Sequence, residues 1–468
     1  MKKLPPGILK CLLPALVLVW TQTALAQKNK IALIDSFVVA KARYHGFNGN
    51  VLVAEKGRII YQKSLGFSHF KLRTPLTSES VFNLASISKE FTAAAVMLCV
   101  ERGLMNLDDE LRKYFPEIPY EGVTVRQMLT HTSGLPEQNE LLYKYWNSDT
   151  PVSNKDMVQY LIRYKPDIAF KPGEGFKYCN TNYSLLALIV EKVSGETFRH
   201  FTAKNIFEPL GMTKTRLLDL QQEHHRSIPN ATENYIFDEE KNRFSIPEEI
   251  PQWKKALPLS GLYGAGNVYS TASDLMKWQE SLKTARILKR ESIREMQKVQ
   301  AQGNVDGSDG YGYGFAIKSI YGDTKVFHNG GTLGYWNALQ HFQNADRTIV
   351  VLSNNESEKG LTNAIAAILF DQQVALPSSH QEVKLSPSEL NRFVGTYEAN
   401  GRSFSIENRK DKLFRIVAGG EPMELKPESK NKLFYVGVDR QIEFTFTGKK
   451  VTAFFIADGL KLALTKVK

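Results

Sequence analysis

Cysteine is scarce in this chain, which has three in 468 residues. Cys11 lies in an N-terminal leader, which leaves Cys99 and Cys179. Cys99 is expected roughly 20 Å along a helix that begins at Ser86, at about 1.5 Å per residue. Cys179 belongs to a motif that we expect near the other end of that helix. A disulfide needs Cα atoms within about 7 Å, so we predict two free thiols and a fold that depends on its hydrophobic core.

Long apolar runs are also rare, and the one at Cys11–Trp20 is too short to span a bilayer comfortably. Lys2, Lys3 and Lys10 lie before it, and Ala24-Leu25-Ala26 follows it. This order is typical of a secretory signal peptide with an A-x-A cleavage site. We expect residues 1–26 to be removed and the mature protein to be exported, to the periplasm or the medium, with no transmembrane segment.

Acidic residues are the minority charge: the chain has 60 Lys and Arg against 49 Asp and Glu, a net charge of +11. Removal of the three leader lysines leaves +8. Because the basic residues are mixed with acids, a solvated surface is the first interpretation, and weak attraction to an anionic wall or membrane is the second. We find no nucleic-acid motif and no convincing metal set, and we expect no cofactor. His131 and the pair His224-His225 are interpreted as structural or surface residues.

The first three quarters of the chain mix strand and helix signals. Residues 30–45 have the pattern of an amphipathic helix, and Asn50–Lys63 predicts a hairpin around a Lys-Gly turn. Trp336–Gln343 and Arg347–Ser353 predict a second strand pair. Residues 215–258 are polar and irregular, which suggests an inserted lid or loop region. The pattern indicates one α/β unit with further helices inserted between its strands.

The composition changes near Leu376–Ser379. From Leu385 onward, about eight short strand-like runs are separated by turn residues, which favours a small β-barrel or a sandwich. We therefore predict a first domain at residues 27–375, a linker at 376–384 and a small β-domain at 385–468.

The stretch Phe82–Phe91 places Ser86 and Lys89 three residues apart at the head of the apolar run Thr92–Val100. A helix that is apolar on all sides is buried, and a buried lysine is costly unless it has partners or loses its proton. Residues i and i+3 share a helix face, so the Lys89 amine can reach and activate the Ser86 hydroxyl. The alternative is a serine cap followed by a solvated lysine.

The S-x-x-K spacing alone is weak evidence, because Ser68–Lys71 and Ser429–Lys432 match it without opening a long apolar helix. Two further motifs add to it. Tyr178-Cys179-Asn180 follows a Pro-Gly loop and precedes an apolar helix, a position suited to a cleft. His328-Asn329-Gly330 precedes a second glycine, and such a strand can bring backbone N–H groups close to a ligand. Taken singly, the first could be a packed tyrosine with a turn asparagine and the second a glycine-rich turn.

Together and in this order, the three motifs resemble the serine β-lactamase and penicillin-binding protein superfamily, and most of all class C β-lactamase-like serine hydrolases. That group includes D-alanyl-D-alanine carboxypeptidases, D-aminopeptidases and some esterases. The resemblance covers roughly residues 30–375 and implies an antiparallel sheet flanked by helices, with an all-helical subdomain. The tail is similar to the lipocalin-like β-barrel domains that follow such hydrolases. The supporting stretches are Phe82–Lys89, Val125–Pro136, Pro172–Asn180, Gly264–Leu275 and His328–Tyr335.

The resemblance also implies roles for individual residues. Ser86 would be the nucleophile that forms an acyl-enzyme, and Lys89 and Tyr178 would share the proton transfer. An apolar pocket would lower the pKa of Lys89, whose charge would in turn lower the pKa of the nearby phenol. Substrate would be bound by Asn180, which would hold the acyl side-chain amide, and by the third motif with His328 and Gly330. The backbone N–H groups of Ser86 and Gly331 would form the oxyanion hole.

Two departures from the family pattern bear on the substrate. Cys179 replaces the usual small residue between Tyr178 and Asn180, which tolerates the chemistry. His328 stands where β-lactamases usually carry lysine, and a histidine with a pKa near about 6.5 is only partly charged at neutral pH. It should attract a substrate carboxylate weakly, and more strongly at lower pH.

We therefore expect an exported serine hydrolase acting on small-molecule or peptide substrates, possibly cell-wall peptide, as a D-amino-acid peptidase, carboxypeptidase or esterase. A β-lactamase is the alternative within enzymes. A penicillin-binding sensor or a non-catalytic wall-binding protein is the alternative of another class, and the oligomeric state is open.

Overall fold

The structure is a computed structural model, which describes residues 8–218, 224–254, 256–357, 360–399, 401–436, 440–448 and 450–467. Side chains are described from residue 27 onward, except at position 259. The first seven residues of the predicted leader lie outside the described residues, and the rest of it is described only as helix backbone. The signal peptide and its cleavage stay a prediction.

The helices are α1 (Ile8–His45), α2 (Ser88–Glu101), α3 (Leu111–Tyr114), α4 (Val125–Leu129), α5 (Gln138–Tyr145), α6 (Asn154–Tyr164), α7 (Asn180–Ser194), α8 (Phe198–Thr202), α9 (Ala272–Thr284), α10 (Arg290–Met296), α11 (Leu361–Leu369) and α12 (Pro387–Asn391). Short 3-10 turns occupy Ala85–Ile87, His225–Ser227, Pro247–Glu249, Pro251–Trp253 and Leu257–Gly261, and a π-helical turn occupies Ala203–Phe207.

The strands up to the main sheet's last member are β1 (Gly49–Glu55), β2 (Arg58–Leu65), β3 (Phe67–His69), β4 (Thr74–Pro75), β5 (Phe82–Asn83), β6 (Arg216–Leu217), β7 (Ile236–Asp238), β8 (Arg243–Ser245), β9 (Val268–Ser270), β10 (Gly310–Tyr311), β11 (Ala316–Ile320), β12 (Asp323–Thr332), β13 (Tyr335–Phe342) and β14 (Arg347–Ser353). Those that follow are β15 (Gly395–Ala399), β16 (Arg402–Arg409), β17 (Lys412–Ile416), β18 (Met423–Ser429), β19 (Lys432–Tyr435), β20 (Arg440–Thr447), β21 (Lys450–Ala457) and β22 (Leu460–Lys466).

The chain divides into two compact units. One comprises the described part of residues 47–358, and the other combines α1 with the described residues from 360 onward. In the second unit α1 packs on α11, and Lys30 pairs with Asp371 at 2.7 Å. The predicted domain bounds at 375 and 385 stay a prediction.

The first unit contains a seven-stranded sheet in the order β10-β11-β12-β13-β14-β1-β2, and all of its pairs are antiparallel. The predicted hairpin at β1 and β2 turns at Lys56 and Gly57, both with positive φ, as a tight two-residue turn requires. The second predicted pair is β13 and β14. The central strands β1 and β14 are buried along nearly their whole length, and α9 packs against both of them.

The helical part of the same unit is organised by α2 and α7, which pack against each other. α2 is buried on every side from Ser88 to Cys99, as its uniformly apolar sequence predicts. It ends before Gly103, whose φ of +70° suits a residue without a Cβ. Cys99 and Cys179 are free and buried, as predicted.

In the second unit, strands β15 to β22 form a closed antiparallel barrel. Alternate residues of these strands point inward into one apolar cluster that includes Tyr397, Ile406, Leu433 and Phe444. The predicted fold class, an antiparallel sheet with helices followed by a small barrel, is confirmed. Because strands β15 to β22 close into a ring, the second domain is a barrel and not a sandwich. In the part of the chain that the structure describes, no helix is both long enough and apolar enough for a membrane span.

Candidate active site

Ser86 lies in the 3-10 turn Ala85–Ile87, at the point where strand β5 leads into helix α2. The turn is sharp: Ala85 has a φ of +48°, a left-handed conformation that costs energy for a residue with a Cβ. The Asn83 side chain stabilises it by accepting a hydrogen bond of 2.9 Å from the Ala85 N–H. Ser86 is thereby left partly exposed at the head of a buried helix.

Lys89 follows one helical turn later and is completely buried. Its Nζ donates to Ser86 Oγ at 3.0 Å, to Asn180 Oδ1 at 2.8 Å and to the Ala265 carbonyl at 2.9 Å. Burial lowers the pKa of Lys89 to about 7, although the negative charges of Glu137 and Cys179, when ionised, oppose this shift. The alternative of a solvated lysine does not hold. The three donor bonds describe the ammonium form; with a pKa of about 7 the unprotonated amine is also populated near neutral pH. It can keep its bonds to Asn180 and Ala265 and present its lone pair to the Ser86 hydroxyl.

Tyr178 lies beside this pair, with Lys89 Nζ 4.8 Å from the centre of its ring. Its hydroxyl is buried and has no hydrogen-bond partner among the described residues. Burial raises the pKa of Tyr178 well above its usual range, and the nearby Ser86 hydroxyl acts in the opposite sense. The expectation of a lowered pKa for this phenol is wrong, because the loss of hydration on burial is the largest influence on it. The phenol of Tyr178 is therefore protonated near neutral pH, a state suited to proton donation rather than to a resident phenolate.

Asn180 is the first residue of α7, and both ends of its amide are engaged. Oδ1 accepts from Lys89, and Nδ2 donates to Glu137 Oε1 at 3.1 Å. The Asn180 backbone N–H also donates to Glu137 Oε2 at 2.7 Å. Glu137 thus fixes Asn180, which fixes Lys89. The sequence analysis missed Glu137, since its partner lies 43 positions away and no local pattern marks it.

His328 lies on β12 and is only 2% exposed. Its Nδ1–H donates to the Asn329 carbonyl at 2.6 Å, so Nε2 is left to accept from the Tyr311 hydroxyl at 2.9 Å. Burial and then the charge of Lys89 lower the pKa of His328 to about 3. The expectation of a partly charged histidine at neutral pH is therefore wrong: the ring is neutral across the physiological range. Tyr311, its partner, was another residue that the sequence analysis missed.

His131, interpreted from the sequence as structural, is completely buried next to the site. Its Nδ1 accepts from the Cys179 backbone N–H at 3.1 Å, and its ring centre lies 4.3 Å from that of Tyr178. The Cys179 thiol points away from the cleft and donates to the Leu135 carbonyl at 3.3 Å. Burial raises the pKa of Cys179 to about 12, so it is an unreactive packing residue.

The two glycines of the third motif let β12 approach the Ser86 turn. A Cβ on Gly330 would lie 2.1 Å from the Leu84 carbonyl oxygen and 3.1 Å from the Ser86 nitrogen. Any side chain at Gly330 would therefore push the strand away from the nucleophile. Gly331, the predicted second oxyanion donor, lies next along the strand and lines the cleft together with Ser86.

Two cavities meet at Ser86 and Gly331, and both are lined by these residues. The Asn180 cavity, of about 370 Å³, is also lined by Gln138, Asn180 and Tyr269. The Tyr178 cavity, of about 350 Å³, is lined by the phenol ring, by His328 and by the loop at 304–306. Ser86 therefore has separate space on its two sides, as a nucleophile needs when it splits a substrate into two parts.

The irregular region at 215–258 contributes to the Asn180 cavity through His224, His225, Asn234, Glu248 and Pro258. It was predicted as a lid or loop region, and the described part of it consists of short strands and 3-10 turns. No group of three metal-ligating side chains occurs among the described residues.

Residues 34–373 match the family model described as Beta-lactamase. The chain is 30% identical over 439 residues to "Penicillin-binding protein 4*" of Bacillus subtilis (strain 168), which covers 92% of this chain and 97% of that protein. It is 25% identical over 392 residues to a D-aminopeptidase of Brucella anthropi, covering 83% of this chain and 71% of that enzyme.

Among solved structures, the octameric penicillin-binding protein homologue from Pyrococcus abyssi superimposes with a TM-score of 0.65. The match covers 93% of this chain and all of that one at 24% identity, which shows a shared fold.

Proposed function

The chain belongs to the Beta-lactamase family, and we propose that it is an exported hydrolase in which Ser86 takes up the acyl group of D-amino-acid amides, peptides or esters. The resemblance predicted from the three motifs and the prediction of a serine hydrolase are both confirmed at the level of the family. The observation that carries the mechanism is the 3.0 Å hydrogen bond between Ser86 Oγ and the buried Lys89 amine.

In the acylation step, Ser86 Oγ attacks the substrate carbonyl carbon, and its proton passes to unprotonated Lys89. The negative charge that develops on the carbonyl oxygen is stabilised by the backbone N–H groups of Ser86 and Gly331. Such donors act only on the transition state, and losing one typically costs about 3 kcal/mol. The positive φ at Ala85 and the absence of a side chain at Gly330 support this arrangement, because they bring turn and strand together.

The carbonyl carbon then loses its bond to the leaving group, which needs a proton. Tyr178 supplies it and is reprotonated from Lys89, since the raised pKa of the phenol keeps it protonated until the leaving group accepts. A water molecule then attacks the carbonyl carbon of the acyl-enzyme and gives a proton to Lys89. As the ester bond to Ser86 breaks, Lys89 returns the proton to Ser86 Oγ and the product acid leaves.

This proton path indicates which part of the substrate each of the two cavities binds. The leaving group must lie on the side of its proton donor, so the Tyr178 cavity takes the leaving group. The Asn180 cavity takes the acyl part, and the remaining N–H of the Asn180 amide is available to it. The neutral His328 adds no charge that would hold a carboxylate in the Tyr178 cavity.

A D-amino-acid substrate is supported by the D-aminopeptidase relative. Penicillin binding is the second candidate, favoured by the relative named a penicillin-binding protein. A penicillin acylates the same serine, and slow deacylation would make the protein a sensor rather than a β-lactamase.

The test is to label the protein with a fluorophosphonate probe and then to assay D-amino-acid amides, D-peptides, esters and cephalosporins. We expect labelling at Ser86 and turnover of amides or esters. Fluorescent penicillin distinguishes the second candidate, which predicts a persistent acyl-enzyme with no turnover of the other substrates. Absence of any covalent adduct would refute the acyl-enzyme proposal.

Export is proposed on the leader at residues 1–26. Expression of the full chain in a bacterium, followed by fractionation and N-terminal sequencing, should find a protein that starts near Gln27 outside the cytoplasm. A protein that keeps residues 1–26 in the cytoplasm would contradict it.

A further inference from the structure

The Tyr178 cavity carries a charge that the mechanism does not use. Asp306 lines it together with Ser86 and Tyr178, and its side chain is exposed to the cavity and solvent. Of the described residues that line this cavity, Asp306 alone has a full charge, since His328 is neutral. The nearby cation Lys318 donates to the Gly307 carbonyl at 2.7 Å and does not line the cavity.

The Asp306 carboxylate is held in place by the third motif. Asn329 Nδ2 donates to Asp306 Oδ2 at 3.1 Å. This bond fixes the orientation of the Asn329 amide, because a carboxylate accepts only from the NH₂ end. Asn329 Oδ1 is consequently an acceptor, and it is buried with no partner among the described residues. The cavity wall thus offers one charged acceptor, the Asp306 carboxylate, in a position that the Asn329 amide fixes.

The charge of Asp306 reaches the reacting groups. After burial, which is the largest cause, the negative charge of Asp306 is among the groups that raise the pKa of Tyr178. A group whose field acts on the proton donor also acts on the leaving group that receives the proton, because both occupy the same cavity.

We propose that Asp306, positioned by Asn329, selects the leaving group by charge: it rejects leaving groups that carry a carboxylate and accepts neutral or cationic ones that donate hydrogen bonds. The proposal rests on the proposed function, in which the leaving group occupies the Tyr178 cavity. It predicts an amidase or esterase rather than a carboxypeptidase, whose leaving amino acid is an anion next to the scissile bond. It also disfavours β-lactams, which carry a carboxylate on the same side.

The test uses three aryl esters of one N-acyl-D-alanine that differ in the leaving phenol: unsubstituted, 3-carboxy and 3-trimethylammonio. For each ester, kcat/KM of Asp306→Asn is divided by that of the wild type, so the intrinsic reactivity of the ester cancels. We expect about a three- to tenfold rise for the carboxy ester, a similar fall for the ammonio ester and less than about a twofold change for the neutral one. Asp306→Lys should enlarge both changes, and added salt should shrink them.

Asp309→Asn is the matched control, since Asp309 is exposed in the same loop and does not line the cavity. It should leave all three ratios equal. We expect Asp306→Asn to fold normally, because the new amide oxygen can still accept the hydrogen bond from Asn329. An unchanged Tm checks this expectation.

Equal ratios for the three esters in Asp306→Asn would overturn the proposal while leaving the role of Ser86 intact. Hydrolysis of the esters that persists in Ser86→Ala would instead overturn the proposed function. If the wild type turns over none of the esters, the rate of Ser86 labelling by aryl phosphonates with the same three leaving groups provides the same ratios.

Discussion

The S-x-x-K spacing occurs in two very different places, at Ser86–Lys89 in the cleft and at Ser429–Lys432 in the barrel. In the cleft, the helical turn brings the amine to 3.0 Å from the hydroxyl, and the lysine is completely buried. In the barrel, Ser429 ends β18 and is exposed, whereas Lys432 begins β19 and pairs with Glu428 at 3.3 Å.

The S-x-x-K spacing therefore supports catalysis only where local geometry and burial bring the amine and the hydroxyl together. Residues three apart on a helix share one face, so the Lys89 amine reaches the Ser86 hydroxyl. Ser429 and Lys432 lie opposite each other across a strand turn, but the lysine pairs with Glu428. Burial then lowers the pKa of the cleft lysine, and water surrounds the barrel serine. The buried residues of the described barrel strands are apolar or aromatic except for Gln441.

The largest expected effect comes from replacing the proposed nucleophile, Ser86, and the barrel residue Ser429 is its counterpart. Ser86→Ala should lower kcat by about 10⁴-fold or more and abolish fluorophosphonate labelling, because among the described residues Ser86 Oγ is the hydroxyl that is hydrogen-bonded to the Lys89 amine. Ser429→Ala should change neither. Circular dichroism and Tm should match the wild type in both variants, and turnover that survives in Ser86→Ala would exclude this serine as the nucleophile.

The next effect concerns two buried phenols whose hydroxyls have no hydrogen-bond partner among the described residues, Tyr178 in the cleft and Tyr435 in the barrel. Tyr178→Phe should lower kcat by about 10²–10⁴-fold, the range for loss of a proton-transfer group. Tyr435→Phe should leave kcat unchanged, since its hydroxyl only packs in the barrel. A kcat for Tyr178→Phe within about threefold of the wild type would show that Tyr178 does not supply the proton to the leaving group.

A smaller effect distinguishes the two lysines by stability. The folded-state pKa of Lys89 is about 7 against 10.5 for the free side chain. Between these values the unfolded chain binds more protons than the folded one, so stability rises with pH. Relative to Lys89→Met, the wild type should gain up to about 1.4 kcal/mol per pH unit from pH 7 to 9.

Urea unfolding at several pH values measures this difference. Lys432→Met is the control, because its partly exposed pair should contribute only about 0.2–1 kcal/mol. A difference between wild type and Lys89→Met that stays flat over pH 7 to 9 would contradict a depressed pKa for Lys89.

The smallest effect is the absence of a titration in the cleft. Because burial and Lys89 lower the pKa of His328 to about 3, its ring signals in NMR should not move between pH 7.5 and 5. Activity on carboxylate-bearing substrates should accordingly show no gain over that range. A midpoint near about 6.5, the value of a free histidine, would restore the charge expected from the sequence.

Much of the fold could be predicted from local patterns. The Lys56-Gly57 turn, the apolar α2 and the evenly spaced strands after Leu385 each carry their signal within a dozen residues. The three motifs also identified residues that the structure brings together. Ser86, Tyr178 and His328 are far apart in the sequence, and it was the family resemblance that indicated one shared site.

The sequence by itself therefore determined the class of fold, the family and the motif residues near Ser86. Only the tertiary structure decided their protonation, since it is burial that lowers the pKa of Lys89 and His328 and raises that of Tyr178. It also revealed Glu137 and Asp306, which reach the site from distant loops. The physical reason is that hydration and long-range contacts are properties of packing, and no run of neighbouring residues encodes them on its own.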